Sequence, residues 1–114
     1  MALDRILEIR TYKLRPGGGA QLDRIFREGA LPMLLRHGIH VVGYGQSRLD
    51  PDSYFLARSY ACLEAREAAL AEFYGSDEWL QQFDTDVMAL IESYHTVVIG
   101  TEEPFVEAVG ALRD

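Results

Sequence analysis

Cysteine is almost missing from this chain: Cys62 is the single one among 114 residues. That excludes an intramolecular disulfide and any multi-cysteine zinc or iron–sulfur site, and it fits a reducing compartment. Histidine is nearly as scarce. The chain has three, His37, His40 and His95; no two stand at i, i+4 on one helix and none sits in an acidic cluster with ligand spacing, so no metal site is expected. Long apolar runs are absent too. Nothing reaches the roughly 20 residues of a membrane span, and Asp4 and Arg5 break the opening where a secretory signal would carry its apolar run. Positive charge is in deficit, with 11 Lys and Arg against 18 Asp and Glu for a net charge of −7, which repels phosphate backbones and makes nucleic acid a poor partner. A cytoplasmic protein without a membrane span is the expectation.

What is present is a globular composition, 48% hydrophobic and 25% charged, in a length that suits one domain able to bury a core without staples. Residues 5–14 are rich in β-branched and aromatic types and end at Pro16 and Gly17 to Gly19, which predicts a strand and a flexible turn. Over residues 20–37 the positions Leu22, Ile25, Phe26, Gly29 and Met33 recur at helical spacing before Gly38, so a helix follows. Pro32 cannot donate to the carbonyl four residues back, and a kink is expected between Glu28 and Pro32. Residues 39–48 and 53–60 flank Asp50-Pro51-Asp52 and predict an antiparallel hairpin. A second helix over residues 63–73 begins beside Cys62, expected to be half-buried. It is interrupted at Gly75 and restarted by a capping Ser76 with Asp77 and Glu78. Its later part carries Trp79, Leu80, Phe83, Val87, Leu90 and Ile91, and residues 94–99 form a last strand. Residues 1–100 make one domain, with 101–114 as a C-terminal arm or short helix of the same domain.

The order β-α-β-β-α-β is a split βαβ arrangement, an α+β four-stranded antiparallel sheet with both helices on one face. Parity then sorts the strand side chains. Leu7, Ile9, Thr11, Ile39, Val41, Gly43, Gly45, Phe55 and Ala57 share one face, which suits packed helices. Glu8, Arg10, Tyr12, His40, Val42, Tyr44, Gln46, Tyr54, Leu56, Arg58 and Tyr60 share the other, too aromatic for plain solvent surface and too polar for a closed core. That second face is expected to pair with a copy of the chain and to enclose a partly hydrated pocket. The last strand is open, with His95 on one face and Tyr94 and Thr96 on the other.

Several stretches, taken in order, resemble the NIPSNAP family: Glu8-Ile9-Arg10-Thr11-Tyr12-Lys13-Leu14-Arg15-Pro16-Gly17 at the start, Leu35-Arg36-His37-Gly38, Val42-Gly43-Tyr44, Ala65-Arg66-Glu67-Ala68-Ala69-Leu70, and Phe73-Tyr74-Gly75-Ser76-Asp77-Glu78-Trp79. The resemblance implies a ferredoxin-like protomer that pairs sheet to sheet into a dimeric α/β barrel. The wider superfamily includes cofactor-free monooxygenases, isomerases and haem-binding or haem-degrading proteins, whereas NIPSNAP members have no agreed chemistry, so the likeness carries fold further than function. The chain departs from the pattern at Leu56 and Arg58, where relatives often place histidine and tryptophan, and at Cys62, where a capping serine is usual.

Arg10 and Arg58 fall on the same face of adjacent central strands, so their guanidinium groups could hold a carboxylate or phosphate; the bland alternative is that Glu8 and other acids neutralise them in an interface network. Tyr12, Tyr44 and Tyr60 join them as candidate ligand-binding residues, and they serve equally as interface packing. His40 is the candidate for acid–base work, against a solvated or capping histidine, while His37 reads as a helix C-terminal residue. The reading is a homodimer binding a small anionic or aromatic molecule in a barrel cavity, with no cofactor. A cofactor-independent monooxygenase or isomerase is one alternative, and a protein interaction module without catalysis is another.

Overall fold

The computed structural model describes residues 4–111. The chain runs β1 (Arg5–Leu14), α1 (Gly18–Ile25), a π-helical turn (Phe26–Ala30), α2 (Leu31–Arg36), β2 (His40–Gln46), β3 (Ser53–Tyr60), α3 (Leu63–Tyr74), α4 (Asp77–Gln82), α5 (Asp84–Leu90), β4 (Ile91–Thr101) and α6 (Glu103–Gly110). The sheet order is β2-β3-β1-β4 with antiparallel neighbours throughout, so β1 and β3 occupy the centre as the topology requires. The expected kink is the π-helical turn, which ends at Ala30, two residues before Pro32, with the Leu31 amide donating to the Phe26 carbonyl. Ser76 caps α4, its hydroxyl accepting from the Trp79 amide at 3.2 Å. Cys62 stands at the N-cap of α3 without a side-chain cap bond, and it is exposed rather than half-buried. The C-terminal segment forms α6; residues 112–114 of the expected arm lie outside the described residues.

The two sheet faces are assigned the other way round from the parity argument. Helices α1 to α5 cover the row Glu8, Tyr12, Tyr54, Leu56, Arg58 and Tyr60, and the main core joins Tyr54, Leu56 and Tyr60 to Leu22, Phe26, Met33, Leu34, Phe73 and Trp79. The apolar row is the open one. Leu7 and Ala57 are buried beneath Val106 of α6, while Phe55, Val97 and Ile99 remain exposed. The reason is pairing: Glu8 lies directly opposite Arg58 across β1 and β3, so the polar row neutralises itself and can be roofed by helices. A register shift between Val41 and Gly43 moves Val42 onto the open face with Leu7 and Ala57, and leaves Val41 with the core. Among the described residues no helix is long and apolar enough to cross a membrane.

The Gly-rich turn holds β1 to the hairpin. Gly17 takes φ 82°, and the amides of Gly17 and Gly19 donate to the two carboxylate oxygens of Asp52 at 3.1 and 3.0 Å. A Cβ on Gly19 would stand 1.7 Å from the Pro51 carbonyl oxygen. Gly19→Ala is therefore expected to destabilise the protein by about 1–3 kcal/mol through forced displacement of this turn; chemical denaturation checks it, and an unchanged midpoint would show that the hairpin yields without cost.

Candidate functional site

The centre of the site is a carboxylate that water does not reach. Glu8 and Arg58 are both fully buried. Arg58 Nε donates to Glu8 Oε1 at 2.5 Å, Arg66 reaches Oε2 from α3 at 2.7 Å, and Arg10 Nη2 lies 4.0 Å from the same oxygen. Burial alone would raise the Glu8 pKa; the charge of Arg58, the hydrogen bonds from Arg58 and Arg66 and the charge of Arg10 more than reverse this and hold it below the ordinary carboxylate value. Three cations around one anion leave the cluster two positive charges in excess.

Arg10 carries that excess to a cavity of about 380 Å³ between the sheet and the helices. The sheet contributes Arg10, Tyr12, Ile91 and Tyr94, α3 contributes Leu70, Ala71 and Tyr74, and the α4–α5 segment contributes Trp79, Asp84, Val87 and Met88. Register explains the floor, since Arg10 lies opposite Thr96 and Tyr12 opposite Tyr94 on β4. Arg10 Nε donates to Thr96 Oγ1 at 3.1 Å, and its guanidinium carbon sits 5.2 Å from the Tyr94 ring centroid. Burial pushes the Tyr12 hydroxyl up to about 12, with the nearby Tyr74 adding to the rise and Arg10 opposing it. Tyr12 is therefore a neutral hydroxyl at physiological pH, suited to donating a hydrogen bond and unsuited to acting as a base.

Of the expected ligand-binding residues, Arg10 and Tyr12 line this cavity. Arg58 is sealed behind it, donating from Nη1 to the Tyr74 hydroxyl at 2.9 Å. Tyr60 is buried without lining the cavity, its hydroxyl raised to about 12, first by burial. Tyr44 belongs elsewhere, packed on Phe26 at 4.9 Å with Arg27 above its ring, in a groove shared with Gly43 and Phe55. His40 lies on the open side of the sheet, where its Nδ1 meets Ser59 Oγ at 2.8 Å and Arg5 donates to the same oxygen. His37 ends α2 edge-on to Phe73. His95 pairs with Thr11 on the open face, which puts Tyr94 and Thr96 on the cavity side.

Sequence reasoning missed Arg66, Tyr74 and Asp84 as site residues. The signal for two of them was there: Arg66, Leu70 and Tyr74 recur every four residues and so share one face of α3. Asp84 had none, because its place depends on the break between α4 and α5 at Phe83.

A four-stranded antiparallel sheet roofed by helices on one face, with a cavity between the two layers, defines an α+β protein of ferredoxin-like class. The chain belongs to the NIPSNAP family, whose model matches residues 7–101. It is similar in fold to a NIPSNAP family protein of unknown function from Agrobacterium tumefaciens, with 21% identity over 91% of this chain and 96% of that one and a TM-score of 0.81. An uncharacterised NIPSNAP-like domain protein from Burkholderia xenovorans matches at 19% identity over 90% and 89% of the two chains, TM-score 0.80. A proposed antibiotic biosynthesis monooxygenase from Nitrosomonas europaea matches at 16% identity over 91% and 96%, TM-score 0.69. No curated protein matches the chain.

Arg58→Met is expected to cost about 3–5 kcal/mol, because it takes the closest counter-charge from a carboxylate sealed in the core. The acid limb follows from the same group. With its folded pKa below the ordinary 4.5, Glu8 contributes stability that is complete above about pH 4.5 and drains away as the pH falls through the lower folded value. Thermal melts across this range should show a shallower acid dependence for Glu8→Gln than for the wild type; parallel curves would mean that Glu8 is not the titrating group.

Proposed function

We propose that this protein is a homodimer that binds a small anionic, aromatic molecule in the cavity between sheet and helices. The observation that carries this reading is the excess positive charge of the Glu8 cluster, presented to the cavity through Arg10 beside the neutral hydroxyl of Tyr12 and the rings of Tyr94 and Trp79. A carboxylate offers Arg10 a charge-assisted bond, and the aromatic walls suit a flat body. The single exposed cysteine fits a cytoplasmic setting. A catalytic reading needs a group that handles protons, and within the cavity that leaves Tyr74, Tyr94 and Asp84, since His40 is across the sheet.

Arg10→Met removes the charge and keeps much of the side-chain length, and Glu8 retains Arg58 and Arg66. An aromatic carboxylate should lose roughly 1.5–3 kcal/mol per charge-assisted bond removed, with the melting temperature near that of the wild type. Titration calorimetry against a panel of aromatic carboxylates reads the first, a thermal melt the second. Absence of binding to the wild type would move the assignment to an interaction module.

The dimer reading rests on the open apolar face. Phe55, Val97 and Ile99 are exposed there beside the buried Leu7 and Val106, and a contiguous apolar face is covered most simply by its own symmetric copy. Val42 lies under α6, so the substitution that isolates pairing is Val97→Asp on β4. It should weaken association by about 2–5 kcal/mol by placing an unpaired charge in the interface. Sedimentation at micromolar concentration measures it, and a wild type that sediments as a monomer overturns the dimer.

A further inference from the structure

Two polar walls of the same cavity carry opposite instructions to a ligand. The first is the Arg10 wall, completed by Tyr74. Tyr74 lines the cavity, its oxygen accepts from Arg58 Nη1 at 2.9 Å, and among the described residues no acceptor takes its phenolic hydrogen, which a ligand acceptor could use. The second wall is Asp84, in the first turn of α5, whose Oδ1 accepts from Trp79 Nε1 at 3.2 Å. Asp84 and Arg10 line one cavity without forming an ion pair among the described residues. Leu70, Val87, Met88 and Ile91 make the rest of the wall apolar.

We infer that the site selects an aromatic monocarboxylate bearing a hydroxyl or amino donor away from its carboxylate, with the carboxylate on Arg10 and Tyr74 and the donor on Asp84. The inference rests on the anionic-ligand reading above and narrows it. A carboxylate accepts several hydrogen bonds, so Asp84 can hold Trp79 and a ligand donor together. A ligand with no donor would cover that carboxylate and leave it short of a partner, and a second anionic group would meet it as a like charge. Benzoate, para-hydroxybenzoate and terephthalate present these three cases on one ring.

Titration calorimetry of the three against the wild type and Asp84→Asn tests the inference, the amide oxygen of the variant remaining available to Trp79. The wild type should bind para-hydroxybenzoate about tenfold more tightly than benzoate, with terephthalate the weakest. In Asp84→Asn terephthalate should gain about tenfold as the like charge disappears, and the advantage of para-hydroxybenzoate over benzoate should shrink. Equal affinities for benzoate and para-hydroxybenzoate, unmoved by Asp84→Asn, would overturn the inference and leave the anionic cavity standing. Failure of all three to bind the wild type would remove both.

Discussion

A carboxylate on the central strand cannot be buried alone, and the fold is arranged around the cations that Glu8 requires. Arg58 comes from the neighbouring strand by register, directly across the β1–β3 pair, and Arg66 comes down from α3. The same ion cluster that neutralises Glu8 therefore ties the sheet to the helix above it. It also fixes Tyr74, one turn beyond Leu70 on α3, through the second nitrogen of Arg58. Arg10 is left over. It keeps only a longer contact to Glu8 and satisfies itself on Thr96 and the Tyr94 ring at the edge of an open space. The group with the least committed charge is thus the one at the cavity.

This arrangement reverses the usual use of a sheet roofed on one side. The polar and aromatic row is covered by helices, and the apolar row is left to α6 and to whatever lies beyond it. Aromatic bulk makes the covered face possible: Phe26, Phe73 and Trp79 reach down from the helices, and Phe73 and Trp79 pack against Tyr74 at 4.8 and 4.9 Å. Tyr54 presents its ring to the core and donates its hydroxyl to Asp23 at 2.7 Å, so holding α1 onto β3. A face of this kind keeps a cavity polar at one wall while its surroundings stay dry.

The elements were legible because each has a local cause. Pro32 marks its irregular turn, Asp50-Pro51-Asp52 joins the hairpin, Ser76 restarts a helix, and the order of the pieces dictates β1 and β3 at the centre. Which face the helices take has no local cause. Alternation shows that Leu7 and Glu8 point opposite ways and leaves the choice between them to partners distant in sequence; Arg58 lies 50 residues away. Hydrophobicity alone favours Leu7 as the core face, and the ion pair overrides it. The shift at Val42 is similar, since a strand containing a bulge cannot be read by strict alternation past it. For the site, Arg10 and Tyr12 follow from β1 alone. Tyr44 and Tyr60 have the right chemistry at places that the fold directs elsewhere.

The cavity's ionisation limits what kind of site it is. Arginine keeps its charge across the whole physiological range, and Tyr12, held up to about 12, keeps its proton. Arg10 and Tyr12 thus offer donors at one wall, while Asp84 offers an acceptor at another. On the proposed binding reading, such a set would orient a ligand by complementary bonds, with an ionised carboxylate at the Arg10 wall and a protonated hydroxyl or amine at Asp84. A base at the Arg10 wall would have to be supplied by the ligand itself. For the ligand proposed above, recognition at the Arg10 wall requires no change of protonation in either partner.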